Sequence, residues 1–111
     1  HQPNTVYGTM HWGQAGQGST HIGNSYVLSH GDFSQKFHVF SIVWDSGKIE
    51  WYVDNVKYFT GYKTDVTGNY PFDKSFFRLL NVAIGGNWPG APDDSTVFPQ
   101  RMIVDYVRVY Q

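Results

Sequence analysis

Phe37-His-Val-Phe-Ser-Ile-Val-Trp44, Asp45-Ser-Gly47 and Lys48-Ile-Glu-Trp-Tyr-Val-Asp54 decide the fold class. Two runs rich in β-branched and aromatic residues flank a short Asp-Ser-Gly break, the pattern of an antiparallel hairpin. A two-residue Ser46-Gly47 loop would set Trp44 opposite Ile49 and Ile42 opposite Trp51. His38, Phe40, Ile42 and Trp44 would then share a face with Ile49, Trp51 and Val53. A longer loop would shift that register, and a shift of one residue would exchange the faces. Asp54-Asn55 reads as a second tight turn into Val56-Lys-Tyr-Phe59.

Outward from the hairpin, period-two alternation recurs and no stretch of helical length carries a 3.6-residue apolar period. Val6, Met10 and Trp12 fall on one side of a strand, Tyr7, Thr9 and His11 on the other. The Gly- and Gln-rich segment Gly13–Ser19 reads as a loop, and Ser25–Leu28 as a short strand. Residues 61–75, with Gly61, Gly68 and Pro71, read as a connection. Phe76–Ile84 is apolar enough for a central strand. Gly85–Gln100, with its Gly and three Pro, reads as a long loop, and such loops are usually functional. Met102–Tyr110 reads as a closing strand. Six or seven strands and no helix make an antiparallel all-β chain, a β-sandwich or part of one.

Composition narrows the chemistry. The 111 residues carry a net charge of −1, which argues against a nucleic-acid partner held by charge. No apolar run reaches the ~18 residues of a spanning helix, so no membrane partner is expected. No basic start leads into an apolar run, so no signal peptide is expected within these residues. With no Cys, a disulfide scaffold, a thiolate zinc site and a thiol nucleophile are excluded. Aromatic residues make up 18%. Their flat faces suit the C–H face of a sugar ring, with Asn, Gln and His beside them for hydroxyls. For Trp44 and Trp51 a core role competes with that reading. Trp88, between Asn87 and Pro89 in the long loop, suits a ligand-facing or loop-pinning role better. Tyr7, Thr9 and His11 form a polar, aromatic face able to line a cleft.

The five His offer no His-x-His or His-x-x-x-His pair, so the spacing gives no metal site. Asp93-Asp94 suits Asx turns. Asp105 interrupts an apolar strand and needs a partner, an Arg or a hard cation such as calcium. No Gly-x-Ser-x-Gly elbow or phosphate loop is present. Glu50 is the single Glu. It stands about 13 Å along a strand from Asp54, too far for a direct carboxylate pair.

Five blocks in order resemble glycoside hydrolase family 16, of the laminarinase (endo-β-1,3-glucanase) type. They are Asn4–Trp12, Phe37–Asp45, Ile49–Asp54, Leu80–Gly90 and Phe98–Gln111. The resemblance implies half of a concanavalin-like β-jelly roll, two curved antiparallel sheets with β-glucan across the concave one. It makes residues 1–111 a single partial domain, its C-terminal half. The family's catalytic strand, Glu-x-Asp-x-x-Glu, is missing, so no residue here is assigned as catalytic and whether the isolated chain is an enzyme stays open. Carried over as substrate-binding are His11, Asn81, Trp44, Trp51, Asn87 and Trp88. Asp105 matches a carboxylate of a structural calcium site that would be incomplete here, and the chemistry requires no cofactor. The parent would be secreted. Self-association, or pairing with a missing N-terminal half, is expected of exposed strand edges. The alternatives are a non-catalytic glucan-binding β-sandwich module and a truncated folding fragment without a ligand.

Overall fold

The structure is a computed structural model that describes residues 2–13 and 18–111, so His1 and the middle of the expected Gly13–Ser19 loop lie outside the described residues. The chain divides into two units, Gln2–Phe76 and Phe77–Gln111.

The first unit holds five strands: β1 (Thr5–Trp12), β2 (Thr20–Val27), β3 (Phe40–Trp44), β4 (Lys48–Val53) and β5 (Val56–Tyr62). All pair antiparallel, β1 with β2 in one sheet and β3-β4-β5 in the other. The central hairpin has the expected register, with Trp44 opposite Ile49 and Ile42 opposite Trp51. Its turn is built by Asp45, whose carboxylate accepts the Gly47 N–H at 2.7 Å and the Lys48 N–H at 3.0 Å. The next turn places Asp54 (φ 48°) and Asn55 (φ 68°) in the left-handed region. Asp and Asn tolerate that conformation, and two-residue hairpin loops need it. A bulge in the β4–β5 ladder sets Trp51 against Phe59 and Tyr52 against Lys57, which leaves Tyr58 without an opposite residue. A single 3-10 turn, Lys63–Asp65, follows β5 inside the expected connection.

The core lies between the sheets. Met10 and Trp12 of β1 are buried with Ile49 of β4 and with Val66 and Tyr70 of the connection. Ile22, Trp51 and Phe72 pack against this cluster. Two glycines set how closely the layers approach. A Cβ at Gly8 would lie 2.7 Å from the Trp51 ring and 2.8 Å from the Tyr58 hydroxyl. One at Gly61 would run into the Met10 sulfur. The connection is pinned by indole N–H groups: Trp12 Nε1 donates to Thr67 Oγ1 at 3.4 Å and Trp44 Nε1 to the Phe72 carbonyl at 2.7 Å.

The second unit departs from the expected strands. Phe76–Ile84 and Met102–Tyr110 have no ladder partner among the described residues. Their apolar side chains are exposed, Phe77, Leu79, Ile103 and Val109 among them. The composition encodes burial in a sheet, but a strand exists only where a neighbour accepts and donates its backbone hydrogen bonds. β2 is longer than expected because β1 supplies such a neighbour to the polar residues Thr20–Asn24. Among the described residues no helix is long and apolar enough to cross a membrane.

Gly8→Ala is expected to destabilise the first unit by about 1–3 kcal/mol, the range for forcing a methyl group into packed side chains. A lower urea midpoint at unchanged slope would register it; an unchanged midpoint would show that the sheets do not meet at Gly8.

Candidate functional site

β1 alternates between two environments. Val6, Gly8, Met10 and Trp12 turn toward the second sheet, and Tyr7, Thr9 and His11 turn away from it. The ladder with β2 extends this outer face: Ser25 lies opposite Tyr7, Gly23 opposite Thr9, and His21 opposite His11. Gly23 carries no side chain where a Cβ would fall 2.7 Å from Thr9 Oγ1, so Thr9 lies across the position. Tyr7 and His11 are exposed and Thr9 is half-buried. The face is polar and aromatic, and it is open to a ligand with hydroxyl groups and flat C–H faces.

The two hairpin Trp residues sit elsewhere. Trp51 lies under Gly8, behind the outer face, with its ring 5.0 Å from Phe59. Trp44 is held through its indole N–H and by an edge contact to Phe76 at 5.6 Å. Trp51 is half-buried there, whereas Trp44 is 41% exposed. An open cavity of about 310 Å³ beside Trp51 is lined by Val6, Tyr7, Phe40, Ile42, Tyr52 and Tyr58 among others.

In the second unit, Asn87, Trp88 and Pro89 form the tip of a tight loop. The Gly86 N–H donates to the Gly90 carbonyl at 3.1 Å, and the Gly90 N–H returns a bond to Gly86 at 2.9 Å. Gly85, Gly86 and Gly90 all have positive φ, so the loop closes in a form other residues resist. Trp88 is 79% exposed at this tip. Asn81 is exposed as well. Asp93 accepts the Ser95 N–H at 2.9 Å and the Ser95 hydroxyl at 2.6 Å, the expected Asx turn. Asp105 is exposed, and no group of three His, Cys, Asp or Glu gathers among the described residues.

The remaining carboxylates of interest are committed to cations and N–H groups. Glu50 is buried on β4. Its Oε1 receives Lys57 Nζ at 3.0 Å and Lys48 Nζ at 3.2 Å, and its Oε2 receives the Tyr52 hydroxyl at 3.2 Å. The Lys57 ammonium, then that of Lys48, holds the Glu50 carboxyl below its ordinary value. Asp54 accepts the Val39 N–H at 2.9 Å and meets His38 Nδ1 at 2.7 Å. These two contacts, the Val39 bond foremost, hold Asp54 low as well. An ionised carboxylate only accepts, so Nδ1 of His38 carries the proton. The His38 ring is buried against Phe33 at 5.0 Å, and its Nε2 has no hydrogen-bond partner among the described residues. A glycosidase acid requires a raised pKa and a second carboxylate beside it. Glu50 and Asp54 have neither.

The sequence profile of Glycosyl hydrolases family 16 matches residues 1–108. The chain belongs to this family. It is 37% identical over 119 aligned residues to Glucan endo-1,3-beta-glucosidase A1 of Niallia circulans, covering 98% of this chain and 17% of that protein. It superposes on the laminarinase catalytic domain of Thermotoga maritima with a TM-score of 0.76 at 47% identity, over 88% of this chain and 41% of that one. The endo-beta-1,3-glucanase of Pyrococcus furiosus gives 0.79 at 46% identity, over 89% and 39%. The chain therefore spans less than half the length of these family 16 proteins, and its antiparallel strands are part of a laminarinase-type jelly roll.

The pH dependence of stability follows from the two depressed carboxyls. Protons bind the unfolded carboxylates near pH 4 before they bind Asp54 or Glu50 in the folded chain. The stabilisation is complete above that value and is lost as pH falls through the lower folded values. Asp54→Asn is expected to flatten the fall in melting temperature below pH 4–5. An acid limb identical to that of the unmodified chain would remove Asp54 from this role.

Proposed function

We propose that these 111 residues are the C-terminal part of the catalytic domain of a secreted, retaining endo-β-1,3-glucanase, and that they carry part of its glucan cleft. The observation that carries this reading is the likeness to the laminarinase catalytic domain at 47% identity. A polysaccharide too large to cross a membrane is met outside the cell, which favours secretion. The two carboxyl groups would belong to a Glu-x-Asp-x-x-Glu strand outside these residues. Retention needs them about 5–5.5 Å apart, one to attack the anomeric carbon and one to move the proton. The commitment of Glu50 to two Lys supports placing them elsewhere.

This chain's own residues bind and orient. Tyr7, Thr9 and His11 offer an aromatic edge and hydrogen bonds to sugar hydroxyls. Trp88 offers a stacking face, and Asn81 and Asn87 offer amide donors and acceptors. Trp44 and Trp51 would lie near or behind the cleft. Asp105 would contribute one side of a structural calcium site completed by other polypeptide.

The unpaired apolar segments support a missing partner. β3 is an edge strand with Phe40, Ile42, Val43 and Trp44 all exposed. Apolar residues on both faces of one strand suit a covered, central position. The isolated chain is expected to self-associate through such edges, and a single monomeric species by light scattering at high concentration would count against that.

Alone, the chain is expected to release no reducing sugar from laminarin. Mixed or co-expressed with a family 16 N-terminal half carrying the Glu-x-Asp-x-x-Glu strand, it should gain activity, and a Gln in place of either Glu should abolish it. Hydrolysis by the pure chain would overturn the proposal. Trp88→Ala in the reconstituted protein should weaken laminarioligosaccharide binding roughly 2- to 13-fold, the span of an aromatic contact worth ~0.5–1.5 kcal/mol; unchanged affinity would remove Trp88 from the cleft. Glucan bound by the chain alone, without gain of activity on reconstitution, would favour a non-catalytic binding module.

A further inference from the structure

His11 and His21 stand directly opposite each other on β1 and β2. Their ring centroids are 5.3 Å apart and their planes are inclined by 32°. Both residues are exposed, and among the described residues neither imidazole makes a hydrogen bond. Opposed residues on an antiparallel pair carry their Cβ atoms about 4.5–5.5 Å apart. Imidazole nitrogens bind zinc at ~2.0–2.1 Å. Two rings rising from opposed positions can therefore grip one ion between them by side-chain rotation, with the backbone spacing already set by the ladder.

We propose that His11 and His21 form a two-imidazole site for a divalent transition ion of the zinc, copper or nickel class. Imidazole favours these ions, whereas calcium and magnesium favour oxygen. No third His, Cys, Asp or Glu joins the pair among the described residues. The other coordination positions are left to water or to an incoming ligand, as in an open metal site. The ion would clamp β1 to β2 one rung from the end of their ladder, at Trp12 opposite Thr20. It would also sit beside Thr9 on the outer face and exclude glucan from it. That last consequence rests on the function proposed above; the metal site does not.

The test is calorimetric titration of the chain with zinc and, separately, nickel, with calcium as the control ion and histidine ring protons followed by NMR. One transition ion per chain is expected, with the His11 and His21 resonances shifted and calcium without effect on them. His11→Gln and His21→Gln should each weaken zinc binding roughly 10–100-fold or more, since even loss of a group that orients a metal ligand costs that much. Far-ultraviolet circular dichroism checks that both variants are folded. His1→Gln and His30→Gln should bind as the unmodified chain does. Binding should weaken on acidification, because protons compete for the same nitrogens. Absence of zinc binding, or binding that follows His1 or His30 instead, overturns the site. Zinc that binds through both His without displacing laminarioligosaccharide upholds the site and removes His11 from the glucan face.

Discussion

The close approach of the two sheets at Gly8 and Gly61 is the constraint on which the rest of the first unit depends. Stacked sheets ordinarily stand ~10 Å apart, with side chains of both filling the gap. Here β1 yields its side chain at Gly8, so Trp51 and the Tyr58 hydroxyl occupy the space against its backbone. β5 yields its own at Gly61, and Met10 takes that space. The exchange is reciprocal: each layer has a hole where the other has a bulky group. It places the indole of Trp51 under β1, and it fixes which side of β1 is left to face outward. Because strand residues alternate, burying Val6, Met10 and Trp12 obliges Tyr7, Thr9 and His11 to present themselves together.

The turns hold this arrangement at its ends by satisfying backbone groups with side chains. Asp45 closes the β3–β4 turn on two N–H groups. Asp54 does more: it occupies a left-handed turn position, accepts the Val39 N–H and holds His38. The Asp54 N–H in turn donates to the Val39 carbonyl at 2.9 Å. The chain segment entering β3 is thus fastened to the far turn of the same sheet. A buried imidazole without a partner at Nε2 is a cost to folding, and the bond to Asp54 together with the aromatic packing of Phe33 offsets it.

The central hairpin was legible because its signals agree: a short turn-forming break, β-rich runs and one register that keeps apolar residues on one face. The β1 face was legible for the same reason, since alternation alone separates Tyr7, Thr9 and His11 from Met10 and Trp12. The extent of β2 was not, because Thr20-His-Ile-Gly-Asn24 has little strand propensity of its own and becomes a strand through β1. Phe76–Ile84 and Met102–Tyr110 fail in the opposite sense. Their composition suits burial, and composition does not say which strand would be the neighbour. The opposition of His11 and His21 was not legible for a related reason. The Gly-rich sequence between them gives no register, and only the ladder shows that they face each other. The Trp44–Trp51 spacing was visible, yet its meaning depended on which face of the hairpin turns inward.

Glu50 shows how burial and charge decide between two uses of one residue type. A carboxylate becomes an acid catalyst when its surroundings disfavour its charge, and becomes a structural anion when they favour it. Glu50 is buried, and burial by itself raises its pKa. Lys57 and Lys48 reverse that, and the Tyr52 hydroxyl takes the other oxygen. Removing one Lys leaves the second in place, so Glu50 would still lack the unpaired, desolvated setting that proton donation to a leaving group requires. The chain's only Glu is thereby bound into the outer surface of the second sheet.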